Sequence, residues 1–364
     1  MRATRAIIHL DNFRQNIEAA RKKAGPSTRI CVPVKADAYG HGAVAISRCA
    51  LESGAEYLGV ATVSEGAELR AAGIAAPVLL LSQPLPDELP DIISGELTPM
   101  VSDGEFIDEA GRAARLAKKR LTVHLKIDTG MGRLGCRPED APALAAKIVS
   151  HGELGLGGTA THFSVSDSLD QDDITYTKEQ LRRFREALTC MRKAGLEPGI
   201  IHAANSGGVA FHDDSHFDMI RPGIFLYGYS PDAGTAPVME LRSAVVSIKK
   251  IKKGEAVSYG RTWLAQEDTF IGIIPAGYGD GFPRLLSNNH SVRIRGKDYP
   301  LAGRICMDQC MIDLGPAPEV QRWDEVTIFG PGFVSAADIA KKINTISYEV
   351  TCNINKRVPR VYKV

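Results

Sequence analysis

Lys35 stands where a lysine can act as a nucleophile. It follows the apolar run Ile30-Cys31-Val32-Pro33-Val34 and opens the string Ala36-Asp37-Ala38-Tyr39-Gly40-His41-Gly42. A short apolar run with turn residues behind it reads as a buried strand. An amine at the tip of such a strand lies in a cleft with its stem in apolar surroundings. Loss of solvation there favours the neutral amine, the form that attacks a carbonyl. Position alone does not decide this, because a strand-end lysine more often snorkels to water.

The elements around Lys35 must therefore supply the rest of a site. Strand-like runs recur at 30–34, 57–61, 78–81, 97–101, 121–127, 154–161, 199–203 and 217–220, with helix-like stretches between most of them. Ser64–Arg70 reads as a helix start with an N-cap serine, and Asp173–Ala194 as a long helix. About eight βα units over roughly 200 residues predict an α/β fold, a (β/α)₈ TIM barrel. An open doubly wound sheet is the alternative, but it carries a Gly-rich fingerprint after its first strand, and none occurs here. Near Pro231-Asp232-Ala233-Gly234 the pattern changes to short β-branched runs at 241–251, 257–259, 269–274, 292–294 and 326–329, with one helical stretch at Ser335–Asn344. The expected domains are a barrel over 1–235 and a mainly β domain over 236–364. The opening strand Arg5–Leu10 is left open to pairing with the second domain rather than the barrel.

Barrel enzymes carry their catalytic groups at the C-terminal ends of the strands. Those ends hold Lys35, Lys126 with Arg133 just beyond, His162, His202 with Asn205 and Ser206, and Arg221. The segments His202–Gly208 and Arg221-Pro222-Gly223-Ile224 follow strands seven and eight, the usual phosphate site of such a barrel. Taken singly, each residue has an ordinary structural reading: Asn-Ser-Gly is a common turn, and buried histidines are usually satisfied core residues. Tyr259 in a β-rich stretch reads as a half-buried core tyrosine, and Met307 as a gap-filler.

Composition narrows the partners. The 44 basic and 43 acidic side chains leave a net charge of +1, without a basic stripe for nucleic acid or anionic membrane. No apolar run is long enough to span a bilayer, and the start Met1-Arg2-Ala3-Thr4-Arg5 leads into an apolar part too short for a signal peptide. Seven scattered cysteines suggest reduced thiols in a cytosol. Cys306 and Cys310 lack a second pair and read as core or strand residues, so no metal site is expected.

A strand-end lysine facing a phosphate site suggests pyridoxal 5′-phosphate, whose aldehyde bonds to the lysine while its phosphate anchors the other end. At these residues the chain resembles the alanine racemases. The resemblance runs through Val34–Gly42, Lys126-Ile127-Asp128-Thr129-Gly130-Met131-Gly132-Arg133-Leu134-Gly135, Thr161-His162-Phe163 and Arg221-Pro222-Gly223. It continues in Ser258-Tyr259-Gly260-Arg261, Ala276–Gly281, Gly303–Asp308 and Ile346-Ser347-Tyr348-Glu349. The strings come in family order and cover nearly the whole chain.

The resemblance implies a role for each matching residue. By it, Lys35 is the cofactor-bonded lysine and one of two catalytic bases, and Tyr259 is the other. Tyr39, Asn205, Ser206, Gly223, Ile224 and Tyr348 match phosphate-binding positions. Arg221 matches the residue facing the pyridine nitrogen, with His202 bonded to it. His162 matches a histidine that packs on the cofactor ring, and Arg133 one that contacts the ring oxygen and the substrate carboxylate. Met307 matches a backbone contact to that carboxylate, and Tyr278 and Asp308 match the substrate access path. Lys126 matches a lysine that in many members carries a carbamate orienting the arginine at 133. Residues from Tyr259 onward, Tyr348 excepted, match ones that reach the partner's site, which implies a homodimer with shared active sites. The implied activity is interconversion of L- and D-alanine, supplying D-alanine for peptidoglycan in a bacterial cytoplasm. A broad-specificity or serine racemase would use the same machinery. A cofactor-carrier protein lacks the second domain with its tyrosine. A barrel decarboxylase of basic amino acids places an acidic residue where Arg221 stands.

Overall fold

The computed structural model describes residues 2–230 and 233–364. Met1 lies outside the described residues, as do Pro231 and Asp232, on which the sequence pattern sets the domain change. The chain forms two units. One comprises Arg14–Ala38 with Ala43–Thr235; the other comprises the segment up to Phe13, Tyr39–Gly42 and Ala236–Val364. The first strand, β1 (Arg5–His9), belongs to the second of these.

The barrel unit is built on β2 (Arg29–Pro33), β3 (Tyr57–Val60), β4 (Val78–Leu80), β5 (Leu97–Val101), β6 (Leu121–Lys126), β7 (Leu154–Ala160), β8 (Ile200–His202) and β9 (Met219–Ile220). All neighbours pair in parallel in the order β8-β7-β6-β5-β4-β3-β2-β9. Two main-chain bonds, Asp218 N to Ile201 O (3.0 Å) and Arg221 N to Ala204 O (2.9 Å), join the β9 end to the β8 end. The sheet is thus a near-closed barrel, not an open doubly wound sheet. Ile30, Val32, Leu58, Val60, Val123 and Leu125 are fully buried in it. Each such side chain stabilises the fold by about 1.5–3 kcal/mol.

Several strands stop a residue short of their apolar runs, so Val34, Ala61, Leu81, Ile127, Thr161 and Ala203 lie just past the strand ends. Phe217 is no strand residue; its φ is 47°, and β9 begins only at Met219. The helix over Val63–Ala71 is capped by Thr62 rather than Ser64, in a capping box with Glu65. The long helix runs over Gln171–Lys193, capped by Asp170. No helix follows β9 among the described residues; the chain instead makes successive turns through Gly223–Gly228. A helix over Leu10–Ala24 precedes β2.

In the second unit, β1 pairs antiparallel with β10 (Met239–Ala244). The run expected at 241–251 breaks at Val245-Val246, and β11 (Ser247–Ile251) belongs to another sheet. The break follows a change of partner, since Val245 N donates to Asp324 O and Val246 N to Ile273 O. Next come β12 (Ala256–Val257), β13 (Trp263–Leu264), β14 (Thr269–Ile274), β15 (Ser291–Ile294), β16 (Lys297–Pro300), β17 (Cys310–Gly315), β18 (Glu325–Phe329) and β19 (Arg360–Lys363). They form sheets ordered β16-β15-β18-β10-β1-β19, β11-β14-β17 and β12-β13. Ser335 caps a helix over Ala336–Lys342, and a further helix over Ser347–Cys352, not expected from the sequence pattern, carries Tyr348. Cys310 is buried at the start of β17, and Cys306 is half-buried in the turn before it. Among the described residues no three His, Cys, Asp or Glu side chains converge as a metal site, and no helix is long and apolar enough to cross a membrane.

Candidate active site

Half-buried Lys35 directly follows the end of the β2 run. The backbone beyond it is no ordinary turn. Ala36, Asp37, Ala38 and Tyr39 have φ of 52°, 53°, 53° and 52°, a left-handed helical turn without glycine. That conformation costs L-residues about 1–2 kcal/mol each. Bonds around it offset the strain: Ala38 N donates to Val34 O (2.8 Å), Ala36 N to Glu65 Oε1 (2.7 Å) and Ala43 N to Asp37 Oδ1 (2.9 Å). The turn ends at Gly40, where a Cβ would lie 2.1 Å from the Thr351 carbonyl oxygen.

Arg221, just past β9, is only 5% exposed. Its Nη2 donates to Thr161 O (2.7 Å), Ala203 O (3.0 Å) and His162 Nδ1 (3.3 Å), and its Nη1 to His202 Nδ1 (2.8 Å). Every one of these acceptors is uncharged. Burial pulls the guanidinium down to about 10, still a cation at neutral pH. The Lys126 amine, 7% exposed at the end of β6, is pushed well below its ordinary value by burial and then by Arg221 and Arg133. His162 is depressed by burial and then by Lys126, Arg221, Arg133 and Lys35. Four basic side chains therefore act on one half-buried imidazole at this end of the barrel.

Beside them, Asn205 caps the short helix Ser206–Phe211. Its Oδ1 accepts from Gly208 N (3.0 Å) and Ser166 Oγ (2.6 Å), and its Nδ2 donates to Phe163 O (3.2 Å). Ser206 Oγ accepts from Phe225 N (3.2 Å), which ties it to the buried Gly223-Ile224 turn and keeps its proton for donation.

The remaining candidates lie in the other unit. Tyr39 and Tyr348 meet edge to face, with centroids 5.6 Å apart at 74°. Tyr259 is not a half-buried strand residue: β12 ends at Val257, and a 3₁₀ turn over Tyr259–Arg261 leaves the tyrosine 71% exposed. Positive φ at Ser258 (69°), Gly260 (72°) and Arg261 (50°) makes that turn, and Ser258 Oγ fastens it to Arg304 O at 2.6 Å. Tyr278, Met307 and Asp308, all exposed, form one knot. Tyr278 N donates to Cys306 O (3.0 Å) and Gly279 N to Met307 O (2.8 Å). Arg357 donates to Asp280 Oδ1 (2.7 Å), Asp308 Oδ1 (2.8 Å) and Met307 O (3.4 Å).

A cluster of basic groups whose buried arginine has only neutral acceptors suits a bound anion, and the Ser206 hydroxyl keeps a proton to donate to one. The phosphate and ring oxygen of pyridoxal 5′-phosphate fit this donor set, and Lys35 fits its aldehyde. Arg357 and Asp280 escape a reading of the sequence because the partners of an arginine are not legible along the chain. His124 escapes it too, although its place two residues before Lys126 puts it on the same strand face.

Comparison with known proteins gives the same direction from end to end. The family described as alanine racemase, N-terminal domain, matches residues 8–231, and alanine racemase, C-terminal domain, matches 238–362. An alanine racemase from Treponema denticola is 51% identical over 375 residues, covering 100% of this chain and 98% of that protein. The crystal structure of alanine racemase from D-cycloserine-producing Streptomyces lavendulae superposes with a TM-score of 0.92 at 37% identity, covering 100% of this chain and 98% of that one. A Bacillus anthracis alanine racemase with bound L-Ala-P gives a TM-score of 0.93 at 31% identity, covering 100% of this chain and 96% of that one.

Proposed function

The chain belongs to the alanine racemase family, and on that premise we propose that it interconverts L- and D-alanine with pyridoxal 5′-phosphate as cofactor and Lys35 and Tyr259 as bases on opposite faces. When bound, the cofactor supplies an electron-withdrawing system that makes the substrate Cα–H acidic enough to leave. Lys35 Nζ takes or returns the proton on one face, and Tyr259 Oη does so on the other. A phenol with an ordinary value of about 10 needs positive charge nearby to act as phenolate at neutral pH. Arg133 and Arg221 are the cations assigned to that task. Tyr39, Asn205, Ser206, Gly223, Ile224 and Tyr348 hold the phosphate, and His162 packs on the ring. Arg133 and the Met307 backbone hold the substrate carboxylate.

Arg221 carries the reading. Its guanidinium can only donate, so facing a bound cofactor's ring nitrogen it would supply that atom no proton and the cofactor would act as a weaker electron sink. Lys35 and Tyr259 would then return the proton to Cα in preference to side reactions. The observation in support is that Arg221 is buried with uncharged acceptors alone. Lys126 is assigned the carbamate that orients Arg133. Its support is the depressed amine, whose neutral form can add carbon dioxide with loss of a proton. The exposure of Tyr259, Tyr278, Met307 and Asp308 supports a homodimer in which the partner's site receives them. The same reading puts the barrel domain within 1–235 and the mainly β domain at 236–364, the latter joined by the opening strand β1, with work in D-alanine supply for peptidoglycan in a bacterial cytoplasm.

The test is the visible spectrum of the purified protein, then circular dichroism of L-alanine and L-serine solutions incubated with it. Cofactor absorbance and decay of the L-alanine signal to zero are expected. Serine should decay more slowly, within the roughly 10- to 200-fold that small apolar differences allow. A persistent L-alanine signal with cofactor bound would overturn the reading.

A further inference from the structure

Arg221 is held by a histidine that is itself held. His124 lies on β6 two residues before Lys126 and is buried. Its Nδ1 is 2.8 Å from His202 Nε2, with the rings 65° apart. His202 Nδ1 is in turn 2.8 Å from Arg221 Nη1. Chemistry fixes the direction of this chain. A guanidinium has no acceptor, so His202 Nδ1 must present its lone pair. The single ring proton of a neutral His202 is then on Nε2, from which it is donated to His124. His124 must accept at Nδ1 and carry its own proton on Nε2. Burial keeps both rings neutral: His124 is lowered from 6.5 to about 4, and His202 lies well below its ordinary value, in each case by burial first and Arg221 next.

The fold makes room for this imidazole. A Cβ at Gly158 on β7 would lie 2.6 Å from His124 Cε1, and one at Gly157 would lie 3.3 Å from its Nε2. The β6–β7 register slips at the same place: Val123 pairs with Leu156, and His124 with Gly158. A slip of that kind re-aims side chains. The glycine at 158 and one residue of register thus leave room for the His124 ring, at a place where a Cβ would also meet Ile200 O (2.5 Å) and, at Gly157, Thr122 Cγ2 (2.4 Å).

We propose that His124 is a positioning residue for Arg221: by accepting from His202 it fixes the tautomer that receives the guanidinium, and so sets how the arginine faces the cofactor ring. The other tautomer would point Nδ1–H at Nη1–H and release that side of the guanidinium. The cofactor clause rests on the proposed function; the tautomer relay does not.

The test uses the full-length protein with ¹⁵N-labelled histidine rings, and reads long-range ¹H–¹⁵N correlations between about pH 6 and 8. His202 should show bare Nδ1 and protonated Nε2 throughout; a protonated Nδ1 in the unsubstituted protein overturns the relay. His124→Leu should lose the single-tautomer pattern. Its kcat should fall about 10- to 100-fold with KM little changed, the loss typical of removing an outer hydrogen-bond partner. Its share of keto-acid side product should rise. His124→Asn, which keeps an acceptor on a short side chain, should recover most of kcat. Unchanged kcat and unchanged His202 signals in His124→Leu would overturn the proposal. If His124→Leu does not fold, His124→Asn decides, and full kcat with a scrambled His202 tautomer overturns the positioning role. Absence of racemisation by the unsubstituted protein would sink the proposed function while the ring signals still judge the relay.

Discussion

Arg221 and Tyr259 are held in opposite ways. The arginine is 5% exposed, with each bonded neighbour fixed by a strand end of its own barrel. The tyrosine is 71% exposed, and the fold fixes its turn rather than its hydroxyl, through Ser258 and the positive φ of Gly260. Where a chain completes a group's surroundings by itself, stability and chemistry are entangled at that residue. Where it presents a group on a rigid turn in water, the two separate, and the group's electrostatics await another surface.

Substitution separates the two cases. Tyr259→Phe should lower kcat by about 10²- to 10⁴-fold, the usual share of a general base. Cofactor absorbance and melting temperature should stay nearly as they were, because the subunit's fold is held by the Ser258 turn and not by the lost hydroxyl. Racemisation by circular dichroism and a thermal melt check both; full activity would remove Tyr259 as a base. Arg221→Glu should strike both properties. It leaves Thr161 O, Ala203 O and His202 without their donor, and each buried acceptor left unsatisfied is expected to cost about 1–3 kcal/mol. Keto-acid release relative to racemisation should also rise, and an unchanged ratio would count against the role given to Arg221.

Acid should sharpen the contrast further. The folded value of His124 is about 4 against an ordinary 6.5, so the unfolded chain takes up its proton first. Stability from this ring is complete above pH 6.5 and drains away as pH falls toward about 4. His162 and His202 are shifted the same way. Urea midpoints should therefore drop on acidification, and His124→Asn should flatten the descent; parallel curves would contradict it. Tyr259→Phe should leave the shape of that curve alone. The smallest effect belongs to the exposed side. Arg357→Ala loosens the knot of Asp280, Met307 and Asp308, and a rise in alanine KM of about 5- to 10-fold with kcat nearly kept is expected, at the low end of the ~1–3 kcal/mol range for a lost charged hydrogen bond. A fall in kcat alone would place Arg357 elsewhere in the mechanism.

The barrel was legible because its strands are buried on both faces and read as apolar runs between turn signals, correct to a residue or two at most ends. The family was legible from ordered motifs. Other features depend on physics that a sequence hides. Positive φ is expected at glycine, yet Ala36-Asp37-Ala38-Tyr39 adopt it because bonds from Val34, Glu65 and Asp37 surround them. The run at 241–251 stays β-branched across Val245-Val246 while the chain changes sheets, so composition carries no mark of the break. Tyr259 reads as a strand residue since Val257 is one; the signal against it is Gly260 just beyond. Ser64 looks the better cap than Thr62, although Glu65 stands three residues after the threonine, the capping-box interval.

The brief passage of Tyr39–Gly42 through the second unit reaches beyond catalysis. The backbone crosses between units after Phe13, Ala38, Gly42 and Thr235. No single cut yields either half whole: severing at 235 would strip β1 of both its partner strands and leave the segment up to Phe13 and Tyr39–Gly42 on the wrong fragment. Such interleaving means that a hybrid of two relatives joined at any one point would mix their residues within at least one unit.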